Sequence, residues 1–432
     1  MMRNRREFFR KSLLGAGLLV SSQAGGGQMS APMSTTGDRK AGGDPIYAGQ
    51  PFLPVETPDI PNLPWKMDNG VKVFHLVAEP VKRQIHPDKT IDVWGYNGTS
   101  PGPTIQILQE DHVRIIVDNH LPEATSVHWH GLEIPTGMDG VPGLTQLPIP
   151  PGGRSIYEFT LHQEGTYFYH SHMAMQEMLG MLGAFILHPK KPHQPRVDKD
   201  FVIMLQEYSV LPNNSVPNTM SMEFNWLVFN GKAGPAITPM ITRLGDRVRI
   251  RLINMGMDHH PVHLHGNTFW VTGTEAGRAP ESTWRPENTV LVGVAQARDI
   301  EFEAKYPGDW MLHCHLPHHM MNQMVSPVGP MTRLGTGMPV EISPDANHVP
   351  GFPQDAYMEG AGMAMDKSVE KPENYGLQPW WSGFMQGMMT LVRVLPPDEY
   401  AKIMAMIRTK RLQPMPGMPG GWNPRGTSNP HP

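Results

Sequence analysis

The sequence contains little cysteine, no long apolar run and no strong excess of either charge. A single cysteine, Cys314, among 432 residues excludes an internal disulfide and a thiolate cluster that binds zinc. The net charge of −4 lacks the basic excess of nucleic-acid-binding proteins, so no nucleic-acid partner is expected. Histidine and methionine are abundant instead, with 21 and 32 residues, and imidazole and thioether groups together favour copper.

Glycine and proline are frequent, with 44 and 45 residues, which disfavours long helices and favours turn-rich β structure. Short β-rich runs recur between the Gly and Pro turns. They include residues 71–77, 113–117, 156–161, 166–169, 201–205 and 248–253. This spacing predicts an all-β chain built from β-sandwiches.

The N-terminus carries an export pattern. Arg5-Arg6 with the following Phe-Phe resembles a twin-arginine signal, and an apolar run at 13–20 ends in small residues. About eight apolar residues are too few to span a bilayer, which argues against the alternative of a membrane anchor. We therefore predict a signal peptide at 1–24, a linker at 25–59, and a mature protein in the periplasm or outside the cell, with no membrane span.

The body of the chain contains one unit twice. Residues 110–119 match residues 245–254 at an offset of 135 (254 − 119). Two histidine-containing segments also match, 128–131 with 263–266 at the same offset and 170–172 with 313–315 at an offset of 143 (313 − 170). Such self-similarity indicates a duplicated domain, with copies at 60–192 and 193–330.

Four His-x-His pairs occupy equivalent positions in the two copies, where chance predicts about one pair. They are His128/His130, His170/His172, His263/His265 and His313/His315. On a β-strand, residues i and i+2 share a face, so each pair aims two imidazoles the same way. Any single pair could be two surface histidines, but four equivalent pairs favour a cluster of several coppers between two units.

Cys314 lies between His313 and His315 and therefore points to the opposite face of the same strand. It predicts a second, separate site of the blue-copper type, which needs two His, one Cys and a weak axial Met. An inert buried thiol is the alternative. The other candidate ligands are His260, His319 and Met324, with His318 competing with His319.

Four motifs in order closely resemble those of the multicopper oxidases, over about residues 70–330. They are His128-Trp-His-Gly, His170-Ser-His, His260-Pro-Val-His-Leu-His-Gly and His313-Cys-His-x3-His319-x4-Met324; residues 98–103 and 138–143 also look like that family. The resemblance implies two tandem cupredoxin-like Greek-key β-sandwich domains and favours His319 over His318. It also implies four coppers per chain: type 1 at His260, Cys314, His319 and Met324, type 2 at His128 and His263, and a type 3 pair at His130, His170, His172, His265, His313 and His315.

The first copy lacks a type 1 site. Thr125, Ser171, Gln176 and Met181 stand where the second copy has His260, Cys314, His319 and Met324. This pattern resembles two-domain laccases that carry type 1 copper in the second domain only. Each copy supplies half of the cluster, so the resemblance implies a homotrimeric ring with clusters at subunit interfaces; a monomer with an internal cluster is the alternative.

The family resemblance implies one-electron oxidation of phenols or other small donors, coupled to four-electron reduction of O2 to water. Asp139 is the candidate for proton delivery to the cluster, or else a turn residue before Gly140. The many methionines allow a cuprous or other metal-ion oxidase, although Met also fills cores, and Met320 stands where related metal oxidases carry an acid. Copper nitrite reductase and a non-catalytic copper carrier are further alternatives, which the eight paired histidines and Cys314 disfavour.

Residues 331–432 are expected to form an extension outside both copies. It is rich in Pro and Met and contains one helix, at Pro397–Arg411, with an apolar stripe formed by Tyr400, Ile403, Met404 and Ile407. We predict that this extension packs on the body of the protein or on a neighbouring subunit, since a disordered tail would not need its aromatic residues.

Overall fold

The structure, a computed structural model, describes residues 47–211, 214–320 and 364–411. The predicted signal peptide and Met324 lie outside these residues. Strands are the main regular structure of the described chain, which confirms the predicted all-β class. The two α-helices of the described residues are α1 (Ala174–Met178) and α2 (Pro397–Arg411). None of the helices in the described ranges is long and apolar enough to cross a membrane.

The first copy forms a sandwich of two sheets. Its strands are β1 (Trp65–Asp68), β2 (Val71–His86), β3 (Lys89–Tyr96), β4 (Ile105–Leu108), β5 (His112–Asn119), β6 (His128–His130), β7 (Arg154–Thr160), β8 (Gly165–His170) and β9 (Leu182–His188). One sheet has the order β1-β2-β5-β7 with β3 on β2, and the other has the order β4-β9-β8-β6. Alternate residues of β5, such as Val113 and Ile115, enter the core between the sheets, where they meet Trp129 of β6.

The second copy repeats this plan with more strands. They are β10 (Lys199–Tyr208), β11 (Trp226–Phe229), β12 (Met240–Arg243), β13 (Arg247–Asn254), β14 (His260–Leu264), β15 (Phe269–Thr274), β16 (Gly277–Arg278), β17 (Arg285–Glu287), β18 (Thr289–Val292), β19 (Ala297–Glu303), β20 (Gly308–Cys314) and β21 (Met389–Leu395). The inner sheet has the order β11-β10-β13-β19-β15-β16 with β17 on β15, and the outer sheet has the order β12-β21-β20-β14-β18.

The C-terminal segment supplies a central strand to the second sandwich. β21 lies between β12, to which it is parallel, and β20, to which it is antiparallel. The expectation that residues 331–432 lie outside both copies therefore differs from the structure at this strand. The predicted helix α2 is present, and its apolar stripe packs against Ile241 and Leu395.

The first sandwich packs its four-stranded sheet on the inner sheet of the second. Phe168 and Leu182 of the first sandwich share a buried cluster with Val202 and Ile253 of β10 and β13. Beside this cluster, Thr166 donates its hydroxyl to Asp299, at 2.7 Å. The outer sheet of the second sandwich is thus separated from the first sandwich by the second core.

Candidate metal centre

The first histidine group comprises His128, His130, His170 and His172. His128 and His130 are on β6, and β6 pairs with β8 so that His128 lies opposite His170. The ring centroids of His130, His170 and His172 lie 5.6, 5.3 and 5.3 Å from that of His128. His130 Nδ1 and His170 Nε2 are 3.4 Å apart. The predicted face of four imidazoles is therefore formed by neighbouring strands.

The second histidine group comprises His263, His265, His313 and His315, and it repeats this geometry. β14 pairs with β20 so that His263 lies opposite His313. The centroids of His265, His313 and His315 lie 4.8, 5.6 and 5.6 Å from that of His263. The group lies on the outer face of the outer sheet, because Val262, Leu264 and Leu312 between them point into the core.

Backbone carbonyls fix the tautomers of four of these imidazoles in the same way in both groups. Each donates its Nδ1–H to a carbonyl oxygen: His128 to Asp139 at 2.8 Å, His263 to Asn288 at 2.6 Å, His170 to Ser171 at 3.0 Å and His313 to Cys314 at 2.8 Å. This leaves Nε2 of each ring without a proton and able to bind a metal ion.

Burial favours the neutral form of two of these rings, His130 and His313, and the neutral form is the one that binds metals. It lowers the pKa of His130 to about 4, and the neighbouring His170 lowers it further. It likewise lowers the pKa of His313 to about 4, with a contribution from His265. At neutral pH no proton has to leave these two imidazoles before a metal ion binds.

The thiol site comprises His260, Cys314 and His319, which come from β14, the end of β20 and the 3-10 turn Pro317–Met320. The Nδ1 atoms of the two imidazoles are 3.1 Å apart, and Cys314 Sγ lies 3.7 Å from that of His260 and 3.5 Å from that of His319. All three side chains are buried, whereas His318 is exposed. A thiolate and two imidazoles that converge in a buried site form the donor set of a type 1 copper site.

The protonation of the thiol site also fits a bound cation. Burial raises the pKa of Cys314 to about 12, with a smaller effect from Glu207. Burial lowers the pKa of His319 to about 4, and His260 lowers it further. The thiolate that a soft metal ion prefers therefore forms only when the ion displaces the proton.

Glu207 is a residue of this site that the sequence did not reveal. Its Oε2 lies 3.4 Å from Nε2 of His260, and neither side chain is exposed. Its other oxygen accepts the backbone N–H groups of Met257 and Asp258. No local motif marks Glu207, because it is 53 residues before His260 and reaches it only through the packing of β10.

The corresponding positions of the first copy form a polar triad, which comprises Thr125, Ser171 and Gln176. Gln176 Oε1 accepts the hydroxyls of Thr125 at 2.7 Å and of Ser171 at 2.9 Å. All three side chains are buried. The first sandwich thus fills the place of a type 1 site with hydrogen bonds between neutral groups, which do not bind copper strongly.

Asp139 lies at the end of the 3-10 turn Thr136–Met138 and beside the first histidine group. Its backbone carbonyl holds His128, and its carboxylate Oδ1 is 3.4 Å from the same Nδ1. The next residue, Gly140, has φ of +82°, and a Cβ there would lie 1.8 Å from the carbonyl oxygen of Val127. Asp139 is therefore a turn residue and also a neighbour of the first histidine group.

Comparison with known proteins shows the family of this chain. Two family models described as multicopper oxidase match residues 79–192 and 209–330, together more than half of the chain. The chain belongs to the multicopper oxidase family. Copper is therefore the metal that the family implies for both kinds of site.

This multicopper oxidase is similar to proteins named for copper resistance and for laccase activity. It is 39% identical to copper resistance protein A of Pseudomonas syringae pv. tomato over 196 residues, 44% of this chain and 31% of that protein. It is 47% identical to laccase-1 of Cryptococcus neoformans var. neoformans serotype D (strain B-3501A) over 113 residues, 25% of this chain and 18% of that protein. The chain thus matches about a third or less of the length of these curated relatives.

The solved structure of blue copper oxidase from Nitrosomonas europaea is similar in fold. It superposes with a TM-score of 0.54 and 25% identity, over 69% of this chain and 94% of that chain. The two sandwiches of this multicopper oxidase are accordingly cupredoxin-like domains.

Proposed function

We propose that this chain is an exported, laccase-like oxidase that couples one-electron oxidation of small donors such as phenols to four-electron reduction of O2 to water. The observation that carries the proposal is the coexistence of two matching histidine groups with a separate buried thiol site. The resemblance to the multicopper oxidases supports a complement of four coppers per chain at these residues. We further propose cupredoxin domains at 60–192 and 193–330, the second completed by β21.

The chemistry of the proposal follows from how the chain links its two kinds of site. Copper bound there would supply the one-electron redox steps and the reduction of O2. Cys314 is covalently flanked by His313 and His315, which lie on the opposite face of the sheet. The peptide chain therefore joins the thiol site to the second histidine group by the shortest possible path. Asp139, beside His128, is placed to hold or transfer a proton there.

Copper content and oxygen uptake test this function. We expect four coppers per chain, an intense visible thiolate band, and oxygen consumption when a dimethoxyphenol is added. A protein that consumes nitrite but no oxygen would be a nitrite reductase, and one that binds copper without turnover would be a carrier. Either result would overturn the proposed function.

Export rests on the sequence alone, because residues 1–46 are outside the described chain. We propose the twin-arginine route, with a mature protein in the periplasm or outside the cell. Substitution of Arg5 and Arg6 by lysine should leave the protein in the cytoplasm, as cell fractionation would show. Continued export of this variant would contradict the route.

We also propose that two chains complete each copper cluster. The first histidine group is on the sandwich that packs against the inner sheet, whereas the second histidine group lies on the outer face of the outer sheet. The core of the second sandwich lies between them, and packed sheets are about 10 Å apart. The second histidine group of one chain can therefore meet the first histidine group of another chain. Such a heterologous contact must close, and similarity to two-domain laccases favours a ring of three.

Complementation between two inactive variants tests this arrangement. A His130→Ala chain and a His315→Ala chain should each be inactive alone, because every interface then lacks one ligand. Mixed rings should regain activity, since some interfaces draw both halves from unmutated domains. A chain with an internal cluster could not be rescued, so absence of rescue in verified mixed assemblies would defeat the ring.

A cluster of thioethers favours cuprous ion as a second candidate substrate. The methionine cluster comprises Met311, Met320, Met385 and Met389, which pack with Trp381 and Leu377. Met389 lies opposite His313, and Met320 follows His319, so the cluster lies between the two kinds of site. Thioethers prefer Cu(I).

The ratio of two turnover rates decides between these donors. If Cu(I) is a substrate, Met385→Leu with Met389→Leu should lower the rate with Cu(I) relative to the rate with dimethoxyphenol. Met67→Leu, at an exposed position of β1, is the control. An unchanged ratio, or absence of Cu(I) oxidation in the parent protein, would eliminate the cuprous variant.

A further inference from the structure

The thiol site has a fourth neighbour that the motif spacing does not predict. Met388 immediately precedes β21 and is fully buried in the same apolar cluster as Cys314. The register of β20 and β21 pairs His313 with Met389, so the next pair along the ladder is Cys314 with Met388. Directly opposed residues of an antiparallel pair share a face, with Cβ atoms about 4.5–5.5 Å apart. The thioether of Met388 therefore lies on the core side of the sheet beside the thiol.

The backbone of Met388 also joins the two ends of the site. Its carbonyl accepts the N–H of Cys314 at 3.1 Å, and its own N–H donates to the carbonyl of His319 at 2.9 Å. These two bonds fix Met388 against both the thiol and one of the imidazoles.

The first copy has the same arrangement at a different spacing. Met181 accepts the N–H of Ser171 at 2.9 Å and donates to the carbonyl of Gln176 at 3.1 Å. It too precedes a strand, β9, whose register with β8 pairs His170 with Leu182. The structural counterpart of Met181 in the second copy is therefore Met388.

The equivalence of Met181 and Met388 cannot be found with one constant sequence offset. Ser171 and Cys314 differ by 143, whereas Met181 and Met388 differ by 207 (388 − 181). The second copy thus carries 64 more residues (207 − 143) than the first between these positions. A glycine with positive φ precedes both methionines, Gly180 at +108° and Gly387 at +55°. Met324, which the constant offset of 143 selects, follows a glutamine instead.

We infer that Met388, and not Met324, supplies the axial thioether of the copper bound by His260, Cys314 and His319. This inference rests on the proposed function. A weak thioether at the axial position tunes the redox potential of such a site. The inferred donor, just before β21, follows His319 by 69 residues (388 − 319). Residues 320–387 therefore lie, in the sequence, between two inferred ligands of one metal site.

Three leucine variants test this inference by spectroscopy of the full-length, copper-loaded protein. Met388→Leu should alter the visible thiolate band and the type 1 EPR signal and raise the redox potential, because the weak donor is lost. Met324→Leu should leave all three unchanged. Met181→Leu is the matched control, since it makes the same buried change in the first copy, and it too should leave the spectra unchanged.

The possible results separate the inference from the proposed function. A parent protein without the thiolate band would defeat the proposed function itself. A parent with that band whose Met388→Leu spectra are unaltered, or whose Met324→Leu spectra change, would overturn only the axial assignment. A Met-to-Leu change in a core usually costs less than about 1.5 kcal/mol, so folding should survive. If the Met388→Leu protein does not fold, Met388→Gln is the second variant. It retains a donor and should shift the type 1 signal without abolishing it. An unshifted signal would overturn the assignment.

Discussion

The two sandwiches have similar histidine groups on the outside of their sheets, but different polar side chains in their interiors. Both histidine groups use equivalent strand pairs and equivalent backbone carbonyl acceptors, which supports the proposal that they are two halves of one cluster. In the interior, the second copy brings together two imidazoles and a thiol, while the first has the polar triad. Under the proposed function, the shared cluster constrains the histidine groups of both copies, whereas a type 1 site is needed in one copy only.

Removing the thiol should have the largest effect on this comparison. Cys314→Ser makes the second interior resemble the first, so the visible band should disappear. Changes beyond the direct ligands typically cost about 10–100-fold in activity, so loss of this ligand should cost more than ~100-fold in phenol oxidation. Absorption spectra and oxygen uptake measure both quantities. Ser171→Ala, the equivalent position in the first copy, should retain the band and the activity; a retained band in Cys314→Ser would refute the type 1 assignment.

Neutralising Asp139 should have the next largest effect. Asp139→Asn keeps the backbone carbonyl that orients His128 and the turn before Gly140, so it removes only the carboxylate. In the second copy the carbonyl that holds His263 already belongs to an asparagine, Asn288. If Asp139 transfers protons, reduction of O2 should slow by roughly 100-fold, as measured by oxygen uptake with excess donor. Asp68→Asn, on the exposed strand β1, is the control; an unchanged rate in Asp139→Asn would leave it a turn residue only.

Much of this comparison could be predicted from the sequence, because the periodicity of a strand is local. The spacing of His313, Cys314 and His315 placed the thiol and the imidazoles on opposite faces, and the structure has Cys314 in the core with the imidazoles outside. The substitutions at Thr125, Ser171 and Gln176 could also be predicted, because the neighbouring histidine motifs set the offset for each position, 135 for Thr125 and 143 for the other two.

Other features could not be predicted, because they depend on distant segments. β21 joins the second sandwich from a distant part of the sequence, so a constant offset selects Met324, whereas the register of β21 selects Met388. Glu207 reaches His260 through sheet packing, and no spacing rule connects them. The pairs Gly180-Met181 and Gly387-Met388, each before an apolar strand, were the available signal for the first of these.

Neutralising Glu207 should have a smaller effect, confined to the second interior. A buried negative charge near His260 stabilises Cu(II) relative to Cu(I), so Glu207→Gln should raise the redox potential of the thiol site. The glutamine carbonyl can still accept the backbone N–H groups, and activity should change by about 10-fold or less. Redox titration of the visible band measures the shift.

Asp258→Asn is the control, because its carboxylate is more exposed and 3.6 Å from His319 Nε2, so its shift should be smaller. A lowered or constant potential in Glu207→Gln would contradict this role.

The smallest effect is expected in the first interior, where the polar triad contributes stability and no redox chemistry. Thr125→Val removes the hydroxyl that donates to Gln176 and retains the shape of the side chain. Because Gln176 Oε1 still accepts the Ser171 hydroxyl, the free energy of unfolding should fall by about 1 kcal/mol and not by the larger cost of an orphaned group. Urea titration of the copper-free protein measures this loss, and copper content should stay at the parent value. Thr160→Val, at a partly exposed position of β7, should cost less. Loss of copper from Thr125→Val would mean that the first interior takes part in metal binding, and the distinction between the two copies would then fail.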